Sequence, residues 1–183
     1  MIRDKAFKLL KEKIKNQNLI KHSLAVEAVM IELAEFFSED KEKWGLAGLL
    51  HDIDYEETKN LPEKHGLVGG KILEELGLDK EIVEAVKAHN EIHNLPRQTK
   101  LAKALFCTDP ITGLIVAATL VLPSKKINDL TVENILNRFK EKSFARGANR
   151  EIISSCSEIG LTLEEFVRIS LTAMQKISSE LGL

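Results

Sequence analysis

Apolar residues along this chain recur every three or four positions and do not alternate, which is the period of amphipathic helices and not of strands. Ala6, Phe7, Leu9, Leu10 and Ile14 form one stripe among lysines and predict a helix over 4–14. A second helix, capped at Asn18, runs to about Phe37 with a broad apolar face through Leu24, Val26, Val29, Met30, Leu33, Phe36 and Phe37. A third spans Asp40 to Ile53; its Trp44, with Phe36 and Phe37, is assigned to the core. A polar loop covers Tyr55 to Lys64, and the helix after it ends at Leu76-Gly77, where glycine suits the left-handed position. Asp79 caps the next helix, which reaches His89 before Asn94-Leu95-Pro96 breaks the pattern. Thr99 opens a long apolar helix to Leu122, with Asp109-Pro110 as an interruption.

Pro123-Ser124-Lys125-Lys126 is the one candidate linker. Three helices follow it, over 132–142, 149–159 and 163–181. The last has a capping box, Thr162 with Glu165, and Leu161 is spaced from Phe166 as a hydrophobic staple. The fold class is therefore all-α, with a helical unit over 1–122 and an extension over 123–183 that packs on it.

Composition narrows the function. A chain of 183 residues that is 44% hydrophobic can bury a real core. Its net charge of −2 argues against nucleic-acid binding by bulk positive charge, so no nucleic-acid partner is expected. Cys107 and Cys156 lie in apolar helical segments without C-x-x-C spacing and read as buried thiols. The amino-terminal stretch is a charged amphipathic helix and not a signal, and the run Ile111–Leu122 is short of the roughly 20 residues a bilayer needs. A cytoplasmic protein with no membrane partner is expected.

The candidate chemistry lies in the five histidines and two aspartates. His51-Asp52 closes an apolar helix, and an imidazole beside a carboxylate is a ligand pair for a divalent metal. Asp109 stands inside an apolar helix expected to be buried, with no lysine or arginine three or four residues away. A buried carboxylate costs several kcal/mol unless paired or metal-bound. Two readings stand for it: a metal ligand, or an acceptor of backbone N–H groups at the Pro110 kink.

His22, then His51-Asp52, then Asp109 resembles in order and spacing the HD superfamily of metal-dependent phosphohydrolases. His65, in His65-Gly66-Leu67-Val68-Gly69, and His89, in Ala85-Val86-Lys87-Ala88-His89, look like the two extra histidines of its two-metal branch. The resemblance covers about residues 18–120 and implies an HD-domain helical bundle. It also implies that His22, His51, Asp52 and Asp109 hold a first ion, that Asp52 bridges, and that His65 and His89 join a second. Activity would then be hydrolysis of a nucleotide or other small phosphate ester, monoester or diester, by hydroxide held on the metal, with Asp52 and His51 at the chemistry. Nitrogen and oxygen donors without thiolate favour one or two ions of Mn, Fe, Co or Ni over Zn or Mg.

There are departures from the family pattern. Asp54 stands where the usual motif has glycine; it either orients a ligand histidine or caps the turn, and the cap is favoured here. No Gly-Tyr-Pro follows, and Asn90 succeeds His89, so cleavage of cyclic dinucleotides is not expected. In His89-Asn90-Glu91-Ile92-His93 the glutamate is one position late for a zinc protease, and His93 reads as a surface imidazole. Lys142, Arg146 and Arg150 surround a turn and a helix start, and either grip substrate phosphate or form a solvated loop. The rival to hydrolysis is a silent metal- or nucleotide-binding sensor with the same ligands, and an oligomer is compatible with either.

Overall fold

The computed structural model describes residues 1–183 as helices and turns, with no strand. The helices are α1 (Arg3–Lys13), α2 (Gln17–Phe37), α3 (Lys41–Leu50), α4 (Tyr55–Thr58), α5 (Leu67–Glu75) and α6 (Lys80–Ala88). They are followed by α7 (Lys100–Leu120), α8 (Val132–Lys140), α9 (Arg150–Ser154), α10 (Leu163–Lys176) and α11 (Ser178–Leu181). The starts carry side-chain caps where short polar residues stand: Asp40 for α3, Asp79 for α6, Thr99 for α7, and the capping box of Thr162 and Glu165 for α10.

Boundaries differ from the sequence reading in places with clear causes. Asn16, not Asn18, caps α2, and its side chain accepts the N–H of Asn18. α3 ends at Leu50, so His51-Asp52 sits in the turn beyond it. The expected polar loop contains the single turn α4. The last helix breaks at Ile177, and the expected 149–159 helix tightens to a 3-10 turn at Ser155–Ile159. α7 runs unbroken through Pro110, which its neighbours hold in helical register despite the missing N–H. Phe36 is 55% exposed, because it falls on the solvent side of the last turn of α2, where it stands edge-to-face with Phe37; Trp44 and Phe37 do pack inward.

α2 and α7 form the centre. α3 packs along α2, α6 along α7, and α10 covers the other side of α2. The α2–α3 seam is closed by Gly48, where an added β-carbon would meet Glu27 Cα and Val26 O at 2.9 Å. One apolar core takes in Leu10, Met30, Leu49, Leu105, Ile135, Phe166 and Met174, so residues from both sides of Pro123 share it. α7 is long and apolar enough to cross a membrane by length and composition, but 67% of its most apolar window is buried in the bundle. Its hydropathy is that of a core helix. Cys107 and Cys156 are both free and buried.

Candidate metal centre

Five segments bring their donor atoms to one place. His22 projects from the second turn of α2, and His51 and Asp52 come from the turn after α3. His65 precedes α5, His89 caps the end of α6, and Asp109 projects from the middle of α7. Two trios result, His22/His51/Asp52 and Asp52/His65/His89, and Asp52 belongs to both. At the first, His51 Nε2 lies 3.2 Å from His22 Nε2, and Asp109 adds its Oδ1 3.0 Å from the same nitrogen. Within the second, Asp52 Oδ1 lies 3.2 Å from His65 Nε2 and 3.4 Å from His89 Nε2, while the two imidazole nitrogens are 3.1 Å apart.

The outer nitrogens decide what the inner ones can do. His51 Nδ1–H donates to Gly48 O at 2.8 Å and His89 Nδ1–H to Val86 O at 2.6 Å, since a carbonyl can only accept. Thr112 gives its hydroxyl proton to Asp109 O, so it accepts from His22 Nδ1–H. His65 Nδ1–H donates to Asp54 Oδ1 at 3.0 Å. All four neutral rings therefore present an Nε2 lone pair to the same small space, together with two carboxylates. Lone pairs facing one another at about 3 Å repel unless a cation stands between them. These residues fit divalent metal binding, and their oxygen and nitrogen character fits a borderline ion.

The electrostatics agree. Burial opposes ionisation of Asp52, yet His51, with hydrogen bonds from His65 and His89, holds its carboxyl well below the usual carboxylate range. Asp109 is likewise lowered, by His22 and His51 against the cost of desolvation. Burial disfavours the charge of His51, but Asp52 and Asp109 outweigh it and push its pKa up to about 9. His65 is pushed up to about 10 by Asp52 and Asp54, again against burial. Without an ion, protons supply the positive charge that the two carboxylates demand.

Several expectations change here. The Asp109 side chain is 35% exposed, not buried, because it faces the open side of the cluster. Asp54 makes no cap to α4; fully buried, it accepts from His65 and from the N–H groups of Gly66 (2.9 Å) and Gly69 (2.7 Å). It thus orients a histidine and caps α5 from outside. Gly66 has φ +84°, and a β-carbon there would press on Val86 O and His89, so only glycine lets the chain turn this close to α6. His93 is no free surface ring: its Nε2–H donates to His65 O at 2.8 Å, beside Asn90, whose amide reaches the same carbonyl and Pro62 O.

The basic stretch lies apart from the cluster. Arg150 cannot serve substrate, because its guanidinium donates to the carbonyls of Arg138, Phe139, Glu141, Phe144, Ala145 and Ala148 and so ties the preceding loop together. Lys142 and Arg146 are exposed on a pocket of about 680 Å³ that shares no residue with the two trios. Thr112, Thr58 and Asn90 support the cluster without standing out in the sequence. Of these, Thr112 has a readable signal, since it stands one helical turn from Asp109 on the same face.

The family model for the HD domain matches residues 19–114. Among curated proteins, the chain is 35% identical over 142 residues to Ribonuclease Y of Nitratidesulfovibrio vulgaris, covering 75% of this chain and 27% of that protein. It is 31% identical over 139 residues to Ribonuclease Y of Lawsonia intracellularis, covering 74% and 26%. It is 36% identical over 91 residues to an uncharacterized protein of Methanocaldococcus jannaschii, covering 47% and 52%. The chain spans about a quarter of the length of the ribonucleases it matches. No solved structure matches it. The ribonuclease names overturn the expectation of no nucleic-acid partner: net charge is a whole-chain sum and is blind to where a strand would lie.

Proposed function

The chain belongs to the HD domain family, and from that premise we propose that it is a metal-dependent phosphodiesterase that hydrolyses the RNA backbone. One observation carries the reading: two trios of donor atoms share Asp52, with four imidazole nitrogens turned inward by partners on their far sides. His22, His51, Asp52 and Asp109 would hold one divalent ion, and His65 and His89 with Asp52 a second. Such ions, when bound, neutralise phosphate oxygens and make water a nucleophile near neutral pH.

The chain's own residues do the rest. Asp52 ties the two halves together. Thr112, Gly48, Val86 and Asp54 keep each imidazole in the tautomer that offers Nε2 inward. With two carboxylates against two divalent ions the loaded site stays positive, which suits a phosphodiester anion. Hydrolysis then breaks one P–O bond, with water supplying the hydroxyl to phosphorus and the proton to the departing oxygen. Lys142 and Arg146, which make no hydrogen bond or ion pair within the chain, are assigned to more distant backbone phosphates.

The test is elemental analysis of the purified protein together with cleavage of a labelled oligoribonucleotide in Mn, Fe, Co or Ni. Wild type is expected to hold close to two ions per chain and to cut the strand, and Asp52→Ala to lose both. Full metal occupancy in Asp52→Ala would overturn the site. Bound ions without cleavage of any phosphodiester would leave it a binding module.

A further inference from the structure

Beside the cluster, α2, α7 and α11 enclose a second pocket, of about 520 Å³, that opens onto His22 and Thr112. That volume lies in the range that takes a small organic ligand, about 300–1,000 Å³. Its walls are Ala25, Val116, Ala117, Leu120 and Leu181, and half of its lining is apolar. Leu120 and the neighbouring Val121 are about half exposed, so the apolar surface continues outward along α7. Lys21 and Asn18 stand on the α2 side, and neither side chain has a hydrogen-bond or ion-pair partner within the chain. Gly113 forms part of the floor, and a β-carbon built there meets nothing within 4 Å.

A half-apolar groove that shares a residue with a phosphate-directed cluster, and has the Lys21 ammonium in its lining, has the parts of a nucleoside seat. Resting on the phosphodiesterase reading, the geometry points to this groove as the place where the nucleoside flanking the scissile phosphate lies. The base packs between α7 and α11, and Lys21 meets the next phosphate along the strand. The occupant follows from continuity and charge. His22 belongs to both the groove and the first trio, so the groove abuts the cluster across this one ring. Lys21 selects an anion at the mouth, not a neutral peptide. Asn18 is the one side-chain amide in the lining, so the seat accepts any of the four bases with little preference.

Gly113→Leu tests this. The β-carbon enters open space, and leucine favours a helix over glycine, so α7 is kept while the rest of the side chain extends over the groove. Binding of a fluorescent oligoribonucleotide, followed by anisotropy, is expected to weaken about tenfold or more, the scale on which one packed base contributes to affinity. Ion content should match wild type, and the thermal melt should be no lower than wild type. A second variant, Lys21→Ala, should reduce the slope of log affinity against log salt by about 0.7, one single-strand phosphate contact. Unchanged affinity in Gly113→Leu, or an unchanged salt slope in Lys21→Ala, would overturn the seat. Hydrolysis of bis(p-nitrophenyl) phosphate by wild type separates the two ideas: weakened RNA binding without turnover of either ester keeps the groove and sinks the hydrolase. No RNA binding by wild type sinks both.

Discussion

Asp54 is the residue whose role the sequence conceals most. A carboxylate in a turn reads as a local cap, and nothing in a linear pattern shows that the turn faces Gly66 and Gly69 across the fold. The buried Asp54 serves one imidazole and two backbone donors at once. Asp54→Ala should therefore destabilise the protein by about 1–3 kcal/mol for each buried N–H left unpaired, read by urea titration. Asp54→Asn keeps the shape but loses the charge that fixes the His65 tautomer. It should weaken binding of one ion by about 10–100-fold and spare the other, visible as two steps in calorimetric titration. A uniform loss at both steps would contradict the assignment of His65 to one ion alone. Titration of the metal-free protein carries a further signature. His51 and His65 rise from 6.5 to about 9 and about 10, so their stabilisation is full below pH 6.5 and is lost as pH climbs through those values. The lowered carboxylates act oppositely: their contribution is present above 3.8 and is lost as pH falls through their depressed values. The melting temperature of the metal-free form should be highest between about pH 4 and 6.5 and should fall toward pH 10. Saturating metal, which needs the neutral rings, should flatten the alkaline fall.

At the scale of elements, the seam between α2 and α3 sets the span from His22 to His51. Gly48 lies against the backbone of α2, and backbone cannot swing aside as a side chain can. Gly48→Ala should push the helices apart, cost about 1–3 kcal/mol, and lower metal affinity although no donor atom is touched. A variant with wild-type affinity would show that the first trio tolerates movement of α3. Most elements are legible because helices leave a local mark: a 3.6-residue stripe, a capping aspartate or threonine, a glycine at the end. What escapes is non-local. The single turn α4 has no stripe long enough to register, and Arg150 looks free in the sequence because its carbonyl partners gather only when the loop closes. Asp109 stands out as the unusual residue of its helix, but the apolar residues around it do not reveal the open side of α7. The ordered histidines and aspartates are legible as a set. Their second row of partners, apart from the spacing of Thr112 and the less favoured of the two readings of Asp54, is not.

For the molecule as a whole, α10 matters as much as the helices that carry the cluster. Phe166, Val167, Leu171 and Met174 are buried in the common core, and α10 packs along α2. Burial of each such side chain stabilises by about 1.5–3 kcal/mol, and four together approach the whole stability of an ordinary domain. A fragment of residues 1–122 should then lose the cooperative thermal transition of the full chain, by circular dichroism. A sharp melt in that fragment would show that the first seven helices stand alone.

The wide spacing of the donors also bears on time. His22 and its partner Thr112 are 90 positions apart, and the six site residues come from five segments. The first ion's set, with Asp109 beside His22, is complete only once α7 has docked on α2, so that ion arrives after this encounter and not before it. Metal should leave the refolding rate nearly unchanged and slow unfolding, because the site must come apart before the helices separate. Stopped-flow traces with and without Mn would then differ only in the unfolding limb, making the ions a latch on the finished fold and not a seed for it.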